Sequence, residues 1–388
     1  MSHQTHFDCI VAGAGVEGSS TAYQLAKNGK KVLLLEKFPL PHTRGSSHGA
    51  SRITRMAYAR NPTYTHMMLE GYSLWAELEK EEGKQLFRKT GILWMGRHTE
   101  GSIPRLAQVM RQYSLPHRLL TADDVTKQFP QLKYDADWCA LFDPDGGILY
   151  ADKCVAAFRN QFRRLGGVLH DGEPVKSVVP GQKVSVQTNK AVYTCDAVVL
   201  CLGAWSGSFL KTLRLDLPLQ PQTVKALYFK ETVPGLYSAA GGFPCLITDD
   251  SVEGHFYGLP GDEYPGMFKF CYYGGVDLKD PDLRDNIDPV KADIMVSGPC
   301  KYVQNHFNHL QTRPAIVETC IFTLTPDMDF ILDTHPQYKN VIVGAGFSGH
   351  GFKLSPVVGK ILAALALGKQ SNYNTDCFRM NRFVQSKL

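Results

Sequence analysis

Long apolar segments are missing from this chain of 388 residues. The longest apolar runs, such as residues 361–367, are far shorter than the roughly 20 residues that a membrane-spanning helix needs. The first residues, Met-Ser-His-Gln-Thr-His, contain no apolar core of a secretory signal. We therefore expect neither a membrane span nor a signal peptide.

Dense runs of Lys or Arg are absent as well. The formal net charge is +5, and no basic stripe is interleaved with aromatic side chains. Nucleic-acid-binding proteins usually concentrate their positive charge in such patches. The composition therefore gives no support to a nucleic acid partner, and the small positive charge favours small anionic ligands.

Paired cysteines are the third absence. The ten cysteines are scattered, with no C-x-x-C pair and no zinc-type spacing to histidine. A chain of this length and ordinary globular composition forms a substantial core without disulfides. We predict no metal site and no disulfide scaffold, and this cysteine usage favours a reducing compartment.

A glycine-rich turn near the start is the most informative segment that is present. Three glycines spell G-x-G-x-x-G directly after the first apolar run: Gly13, Gly15 and Gly18. A helical segment over residues 19–27, an apolar strand over residues 31–35 and the acid Glu36 follow in that order. Such glycines let the backbone approach a pyrophosphate at a helix N-terminus, and the acid can bind a ribose. The order predicts a βαβ unit that binds a phosphorylated cofactor.

A second glycine turn lies near the end of the chain, over residues 341–353. Helices are predicted over residues 64–82, 152–165 and 356–367, with a capped helix start at Thr121. Strands are predicted over residues 86–96, 168–170, 175–179, 184–188, 191–193, 196–205, 226–229, 256–259 and 267–273. The pattern indicates a discontinuous α/β cofactor domain of residues 1–85, 150–215 and 320–388. A substrate domain of residues 86–149 and 216–319, on a mixed, largely antiparallel sheet, is inserted into it.

The last three residues, Ser386-Lys387-Leu388, match the peroxisomal address that an import receptor reads at a free C-terminus. One given tripeptide occurs there by chance on the order of once in several thousand chains. We therefore expect the peroxisomal matrix as the location and the import receptor as a partner. Peroxisomes house oxidases that release hydrogen peroxide, so the address favours an oxidase reaction.

Four motifs together resemble the monomeric sarcosine oxidase family. They are V-A-G-A-G at 11–15, R-G-S-S-H-G-A-S-R-I-T-R at 44–55, E-T-C-I-F-T-L-T-P-D at 318–327 and G-A-G-F-S-G-H-G-F-K at 344–353. The similarity spans essentially the whole chain and is greatest to the peroxisomal branch of sarcosine and L-pipecolate oxidases. It implies a Rossmann-like FAD domain of the glutathione reductase type. The implied reaction oxidises a secondary amino acid, such as sarcosine, L-pipecolate or L-proline, to the imine and reduces O2 to H2O2. We expect a monomer.

The resemblance implies that Cys320 holds FAD covalently, although an isolated cysteine is usually an ordinary core residue. His48 and Arg52, in the second motif, are expected to supply nearby cations and to take part in catalysis; the flanking glycines and serines favour an anion-binding turn. The other residues expected at FAD are Gly13, Gly15, Val16, Gly18, Glu36, Lys37, Ser47, Val175, Gly203, Trp205, Gly346, Gly349, His350, Gly351, Phe352 and Lys353.

The substrate site is also implied by the family. Arg55 and Lys353 match a cationic clamp for the substrate carboxylate, with the bidentate geometry of Arg beside the compact charge of Lys. Lys269 matches the lysine that stabilises negative charge on reduced oxygen. On an alternating strand, however, it could instead face the solvent. The expected pocket walls are Tyr58, Tyr257 and Tyr273.

Three departures from the family bear on the substrate. Tyr273 stands where many members have His, Phe322 replaces a common Tyr, and Ala-Arg-Asn-Pro at 59–62 lacks a usual acid. A more apolar pocket favours a ring such as that of pipecolate. The alternatives are a deglycating fructosyl-amino-acid oxidase, a nicotinamide-dependent dehydrogenase, which leaves the second glycine turn unexplained, and a flavin-bearing scaffold without turnover.

Overall fold

A computed structural model describes residues 5–383, so the prediction for Ser386-Lys387-Leu388 lies outside the described residues. The strands are β1 (His6–Ala12), β2 (Val32–Leu35), β3 (Ser51–Thr54), β4 (Phe87–Lys89), β5 (Ile92–Arg97), β6 (Arg118–Thr121), β7 (Trp138–Asp143), β8 (Gly147–Tyr150), β9 (Val168–His170), β10 (Val175–Val179), β11 (Val184–Thr188), β12 (Val192–Leu200), β13 (Gln220–Glu231), β14 (Cys245–Asp250), β15 (Gly254–Pro260), β16 (Met267–Tyr272), β17 (Val276–Asp277), β18 (Leu310–Leu324), β19 (Ile331–Thr334) and β20 (Val341–Ala345). The helices are α1 (Val16–Lys27), α2 (Pro62–Glu82), α3 (Ser102–Gln112), α4 (Ala122–Gln128), α5 (Ala151–Arg164), α6 (Ser206–Thr212), α7 (Pro289–Ala292), α8 (Ile294–His306) and α9 (Ser355–Ala366).

The first sheet is built around β1, which pairs in parallel with β2 on one side and β12 on the other. β9 extends the sheet beyond β2, and β20 continues in parallel beyond β12. α1 connects β1 to β2, so the predicted βαβ unit is confirmed. The predicted helices over 64–82, 152–165 and 356–367 are confirmed as α2, α5 and α9, and Thr121 caps α4 through a capping box.

Small residues bring α1 and α9 close together on one face of this sheet. A Cβ atom on Gly359 of α9 would lie 2.2 Å from Ser20 Oγ of α1, so only glycine fits this crossing. Met67 and Trp75 of α2 and Phe158 of α5 fill the same core. This packing holds the N-terminus of α1 at the carboxyl ends of the parallel strands, where open α/β sheets bind ligands.

The second sheet has the order β17-β13-β16-β15-β14-β5-β7-β6, and β18 pairs along the length of β13 on its other edge. Its pairs are antiparallel except for the parallel pair of β5 with β14, which confirms the predicted mixed, largely antiparallel sheet. Aromatic side chains pack this sheet against α8, including Phe256, Phe268 and Tyr302. β3, β8 and β4 form a small antiparallel third sheet.

The two large sheets use separate parts of the chain. The first draws on residues 6–35, 168–200 and 331–345, and the second on residues 92–143 and 220–324. The domain boundaries given above stay a prediction.

The ten cysteines all lie in the described residues and are free, and six of them are buried. Between residues 5 and 383, no helix is long and apolar enough to span a bilayer. The same part of the chain contains no group of His, Cys, Asp and Glu side chains that could hold a metal ion.

Candidate active site

A cavity of about 1360 Å³ opens at the carboxyl ends of β1, β2, β12 and β20 and extends to β15, β16 and β18 of the second sheet. Ligand pockets usually measure about 300–1,000 Å³, so this one has room for a large cofactor beside a small substrate. Every site residue predicted from the sequence lines this cavity. Their individual roles stay predictions.

The first glycine turn brings the backbone close to the cavity. Gly13 has φ +99°, and a Cβ atom there would lie 2.2 Å from Cys201 O, at the end of β12. A Cβ atom on Gly18 would lie 1.9 Å from Gly13 O. Val16 N donates to Ser47 Oγ over 2.9 Å, which ties the loop before β3 to the start of α1. The turn therefore requires glycine and presents the N-terminus of α1 to a ligand.

Glu36 follows β2 and faces the same turn. Its carboxylate accepts hydrogen bonds from Ala14 N over 2.8 Å and from Phe38 N over 3.1 Å. Burial alone would raise the pKa of Glu36, but His42, 3.3 Å away, and the two backbone N–H groups hold it below its usual value. The carboxylate retains lone pairs for further donors, such as ribose hydroxyls.

Glu17, in the first turn of α1, is a carboxyl group that sequence reasoning missed. Both of its carboxyl oxygens are buried, and neither has a hydrogen-bond partner in the described part of the chain. A Cβ atom on Gly351 would lie 2.9 Å from Glu17 Oε1, so this group lies between the two glycine turns. Burial raises the pKa of Glu17 well above its usual value. The sequence signal that could have identified Glu17 is its position inside the G-x-G-x-x-G pattern.

The loop before β3 is held by Arg52. Its guanidinium donates to the carbonyl oxygens of Ser46 over 2.9 Å, His48 over 2.5 Å and Ser51 over 2.7 Å. His48 Nδ1 lies 2.6 Å from Gly45 O. Burial, together with the charges of Arg52 and Arg284, lowers the pKa of His48 to about 4. The loop thus presents a neutral imidazole and a fixed guanidinium to the cavity, so Arg52 and not His48 is the cation here, contrary to the expectation for His48.

Cys320 lies on β18, opposite Val224 of β13, and is half-buried. Its Sγ atom lies 3.8 Å from Ile321 O, and the residue lines the cavity. Tyr257 of β15 lines the same region, and burial, with Cys271 and Cys320 nearby, raises the pKa of its hydroxyl well above the usual value. Cys320 is therefore part of the cavity wall and is not enclosed in the core.

Arg55 and Lys353 meet at one aromatic ring. Arg55 Cζ lies 4.3 Å from the ring centroid of Tyr58 and 4.6 Å from that of Trp94, and Lys353 Nζ lies 5.6 Å from the Tyr58 centroid. Lys353 is 7% exposed, and burial, together with the Arg55 charge, lowers its pKa well below the usual value. Neither cation forms an ion pair with a carboxylate within residues 5–383. The pair is thus available for an anionic ligand.

Aromatic groups wall the space next to these cations. Tyr273 donates from its hydroxyl to Ser348 O over 2.7 Å and stacks on the rings of His255 and Phe322 at 4.7 and 6.2 Å between centroids. His255 was also missed, since a histidine on an alternating strand gives no distinct signal. Burial lowers the pKa of His255 to about 4, against the opposing effect of the nearby Asp249.

Lys269 of β16 is 5% exposed, so the solvent-facing alternative is wrong. Its Nζ atom lies 3.5 Å from Glu263 Oε1, 3.4 Å from Ser51 Oγ and 5.3 Å from the ring centroid of Tyr228. Burial alone would raise the pKa of Glu263, but the Lys269 charge and the hydroxyls of Ser51 and Tyr228 hold it below its usual value. Glu263 lies in the turn between β15 and β16, where an acid is ordinary, and sequence reasoning missed it.

Comparison with known proteins identifies the family. A family model described as FAD dependent oxidoreductase matches residues 8–365. The protein named Peroxisomal sarcosine oxidase from Mus musculus is 44% identical over 385 residues, which cover 99% of this chain and 98% of that protein. The chain belongs to the sarcosine oxidase family of FAD dependent oxidoreductases.

Similarity to this sarcosine oxidase family extends to bacterial proteins. Monomeric sarcosine oxidase from Bacillus sp. (strain B-0618) is 34% identical, with 97% of this chain and 96% of that protein covered. Among solved structures, the open form of NikD, titled an unusual amino acid oxidase essential for nikkomycin biosynthesis, superposes with a TM-score of 0.83. It is 25% identical and covers 97% of this chain and 98% of its own. The predicted fold class is therefore confirmed.

The residues that line the cavity of this sarcosine oxidase family member are suited to binding FAD. The turn at Gly13 excludes any larger side chain and leaves the N-terminus of α1 for a pyrophosphate. Glu36 can accept further hydrogen bonds, and Glu17 has two buried oxygens that no described residue satisfies. Buried polar atoms are nearly always paired, so these oxygens indicate a polar ligand or water between the two glycine turns.

Proposed function

We propose that the protein is an FAD-dependent oxidase that converts a secondary amino acid to its imine and reduces O2 to H2O2. The observation that carries this proposal is the pair of cations Arg55 and Lys353, which have no carboxylate partner among the described residues and lie in the same cavity as the buried Lys269. Arg55 and Lys353 suit a substrate carboxylate, and Lys269 suits the negative charge that forms on reduced oxygen.

When bound, FAD supplies the two-electron oxidation and the transfer of those electrons to O2. The protein's own residues bind, orient and shield the reactants. Arg55 and Lys353 hold the carboxylate, and its charge would also stabilise the protonated form of Lys353, which burial disfavours. Tyr58, Tyr257 and Tyr273 enclose the rest of the substrate and exclude water.

The preferred substrate is proposed to be a cyclic secondary amino acid such as L-pipecolate, with sarcosine and L-proline as further substrates. Phe322 supports this, because its ring stacks on Tyr273 at 6.2 Å and brings no hydroxyl to the pocket. An apolar wall gains free energy by burying ring methylenes, at about 0.8 kcal/mol for each CH2 group. Sarcosine lacks those methylenes and gains less.

Covalent attachment of FAD through Cys320 is part of the proposal. Its support is the half-buried position of Cys320 on the wall of the cavity that Arg52, fixed by three carbonyl oxygens, also lines.

A peroxisomal location is likewise proposed. The support is the C-terminal Ser386-Lys387-Leu388, the address that the import receptor would read, and the similarity to a relative named peroxisomal. The proposed oligomeric state is a monomer, in keeping with the relatives named monomeric sarcosine oxidase.

One experiment tests the function. The purified protein is mixed anaerobically with sarcosine, L-pipecolate, L-proline or a fructosyl amino acid, and the visible absorption of the flavin is followed before air is admitted and H2O2 is assayed. We expect bleaching by the secondary amino acids, fastest with L-pipecolate, and stoichiometric H2O2 afterwards. Bleaching by the fructosyl compound alone would replace the proposal with the deglycating alternative, and no bleaching would refute it.

A further inference from the structure

Lys269 is the inner end of a chain of hydrogen-bonded groups. Ser51 Oγ lies 3.4 Å from Lys269 Nζ and donates to Glu263 Oε1 over 2.6 Å. Lys269 Nζ itself lies 3.5 Å from that carboxylate oxygen. All three groups lie in or next to the cavity, and both Lys269 and Ser51 are buried. The ammonium is therefore connected to a carboxylate both directly and through a hydroxyl.

The chain continues from Glu263 through Tyr228. The Tyr228 hydroxyl lies 3.0 Å from Glu263 Oε1 and 3.1 Å from Glu318 Oε2, so it bridges two carboxyl groups. Tyr264 then donates to Glu318 Oε1 over 2.7 Å. Tyr228 is 1% exposed, whereas Glu318 and Tyr264 are only half-buried and are in contact with solvent. Groups no more than 3.5 Å apart thus lead from the buried ammonium to the surface.

The bridging hydroxyl is suited to pass a proton on rather than to keep one. A phenol has one hydrogen, so Tyr228 can donate to only one of its two carboxyl neighbours at a time and can accept a proton from the other. Burial, together with the charges of Glu263 and Glu318, raises the pKa of Tyr228 well above its usual value. Tyr228 therefore remains a phenol, and a proton that it gives to one neighbour must be replaced from the other.

The proposed reaction needs such a path. The substrate loses two electrons with its C–H hydrogen and loses an N–H proton, and O2 takes up two electrons and two protons to leave as H2O2. Oxidation of the substrate and reduction of O2 are separate steps, so a proton must leave the reacting groups and a proton must later return to them. Bulk water is the natural reservoir, and a hydrogen-bonded chain is the ordinary way to reach it.

We propose that these groups form a proton relay between the cavity and the solvent, an inference that rests on the proposed oxidase function. The members, from the inside outward, are Lys269, Ser51, Glu263, Tyr228, Glu318 and Tyr264. The Lys269 ammonium gives a proton to reduced oxygen and is reprotonated by the Ser51 hydroxyl. In the same concerted shift, the ionised Glu263 carboxylate receives the Tyr228 proton and passes it to the Ser51 oxygen. Tyr228 is reprotonated through Glu318, which takes its proton from solvent. Every group ends as it began, and one proton has moved from water to the product.

A neighbouring pair of groups provides a matched control. Tyr150 donates to Asp262 Oδ2 over 2.9 Å, and Arg88 pairs with the same carboxylate at 3.1 Å. Asp262 adjoins Glu263 in the chain, yet neither Tyr150 nor Asp262 has a hydrogen bond to a member of the relay within residues 5–383. Tyr150→Phe and Asp262→Asn therefore remove the same kinds of group, a phenol hydroxyl and a carboxylate, next to the relay without interrupting it.

The test compares Tyr228→Phe with these controls. Phe keeps the ring beside Lys269 and removes only the hydroxyl. Glu318→Gln, at a half-buried position, is the second variant should Tyr228→Phe fold poorly. The FAD-loaded proteins are reduced by titration with dithionite, so that no amino acid is needed, and are mixed with O2 in H2O and in D2O. Stopped-flow absorbance gives the rate of reoxidation, and a pH indicator dye gives proton uptake.

We expect Tyr228→Phe and Glu318→Gln to slow reoxidation and proton uptake at least tenfold and to increase the solvent isotope effect. A small acid such as imidazolium should restore much of the rate, which it could not do for a structural defect. Both control variants should behave like the unmodified protein. Reoxidation of the two relay variants at the unmodified rate, or a loss that added acid does not restore, would overturn the relay. Failure of every amino acid to reduce the flavin would instead refute the oxidase function, since the dithionite measurement does not depend on it.

Discussion

Glu17 and Glu36 flank the same glycine turn, and their carboxyl groups have pKa values shifted in opposite directions. Glu36 accepts two backbone hydrogen bonds and has His42 beside it, whereas Glu17 is buried without any partner among the described residues. The protein therefore holds one ionised and one protonated carboxyl group on the two sides of its predicted pyrophosphate site. Only the ionised one was predicted from the sequence.

Replacing Glu17 by Gln should stabilise the protein increasingly as the pH rises. The folded-state pKa of Glu17 is raised, so its contribution to stability is complete below the unfolded pKa of about 4.5 and is lost as the pH rises through the folded pKa. Each unit of pKa shift corresponds to about 1.4 kcal/mol. Thermal unfolding between pH 5 and 8 should show a Tm difference that grows with pH.

Glu36→Gln is the matched variant, and its effect should have the opposite sign. The folded-state pKa of Glu36 is lowered, so its contribution is present above the unfolded pKa and is lost as the pH falls through the folded pKa. The loss of hydrogen bonds to a charged group should cost about 1.5–3 kcal/mol at pH 7 and less below pH 4. A Tm difference that is independent of pH in both variants would contradict these assignments.

Arg55→Met should raise the KM for secondary amino acids by about ten- to a hundredfold. The reason is the loss of a charge-assisted partner of the substrate carboxylate, about 1.5–3 kcal/mol. Steady-state kinetics with L-pipecolate measures this change. Binding of piperidine, which has the ring but no carboxylate, should be altered little. Equal losses for both ligands would indicate a folding defect rather than a carboxylate clamp.

Cys320→Ser should abolish covalent attachment of FAD while leaving the fold intact. The unmodified protein should remain yellow after acid precipitation and have a mass that exceeds the chain by one FAD, and the variant should release its flavin into the supernatant. The free Cys271 offers a control, because it is fully enclosed on β16. Flavin that stays attached in the Cys320 variant would assign the linkage to another residue.

Lys269→Met should slow the reaction of the reduced protein with O2 far more than its reduction by substrate. A preorganised charge in a site that excludes water commonly contributes about 3–4 kcal/mol to stabilising a transition state. Stopped-flow absorbance separates the two half-reactions. Equal slowing of both would show that Lys269 acts on the substrate and not on oxygen.

The sequence predicts those residues of the site that lie in short, recognisable motifs. The glycine turns, Glu36, Cys320 and Lys353 lie in or beside short patterns whose backbone requirements are visible in one stretch of chain. The strands β6 and β7 of the second sheet were not predicted. Apolar runs and alternation do predict most of the first sheet and part of the second. These features are predictable because the residues that determine them are neighbours in sequence.

Other features depend on pairing between distant segments. Residues 51–54 have the glycine- and serine-rich surroundings of a turn, yet they form β3 because β8, about a hundred residues away, supplies an antiparallel partner. The helix α8 has Gly298 and Pro299 in its middle, both poor helix formers, and packing against the second sheet compensates for them. Glu263 gains its role only because the third sheet brings Ser51 to it.

The burial of the cysteines has a consequence for the lifetime of the protein. Burial raises the pKa of the thiols of Cys9, Cys139, Cys154, Cys195, Cys201, Cys245, Cys271, Cys300 and Cys377. Peroxide oxidises the thiolate and scarcely reacts with the thiol. The proposed oxidase would release H2O2 inside the protein at each turnover. The raised thiol pKa values would then slow the oxidation of these nine cysteines to sulfenic acid by the enzyme's own product.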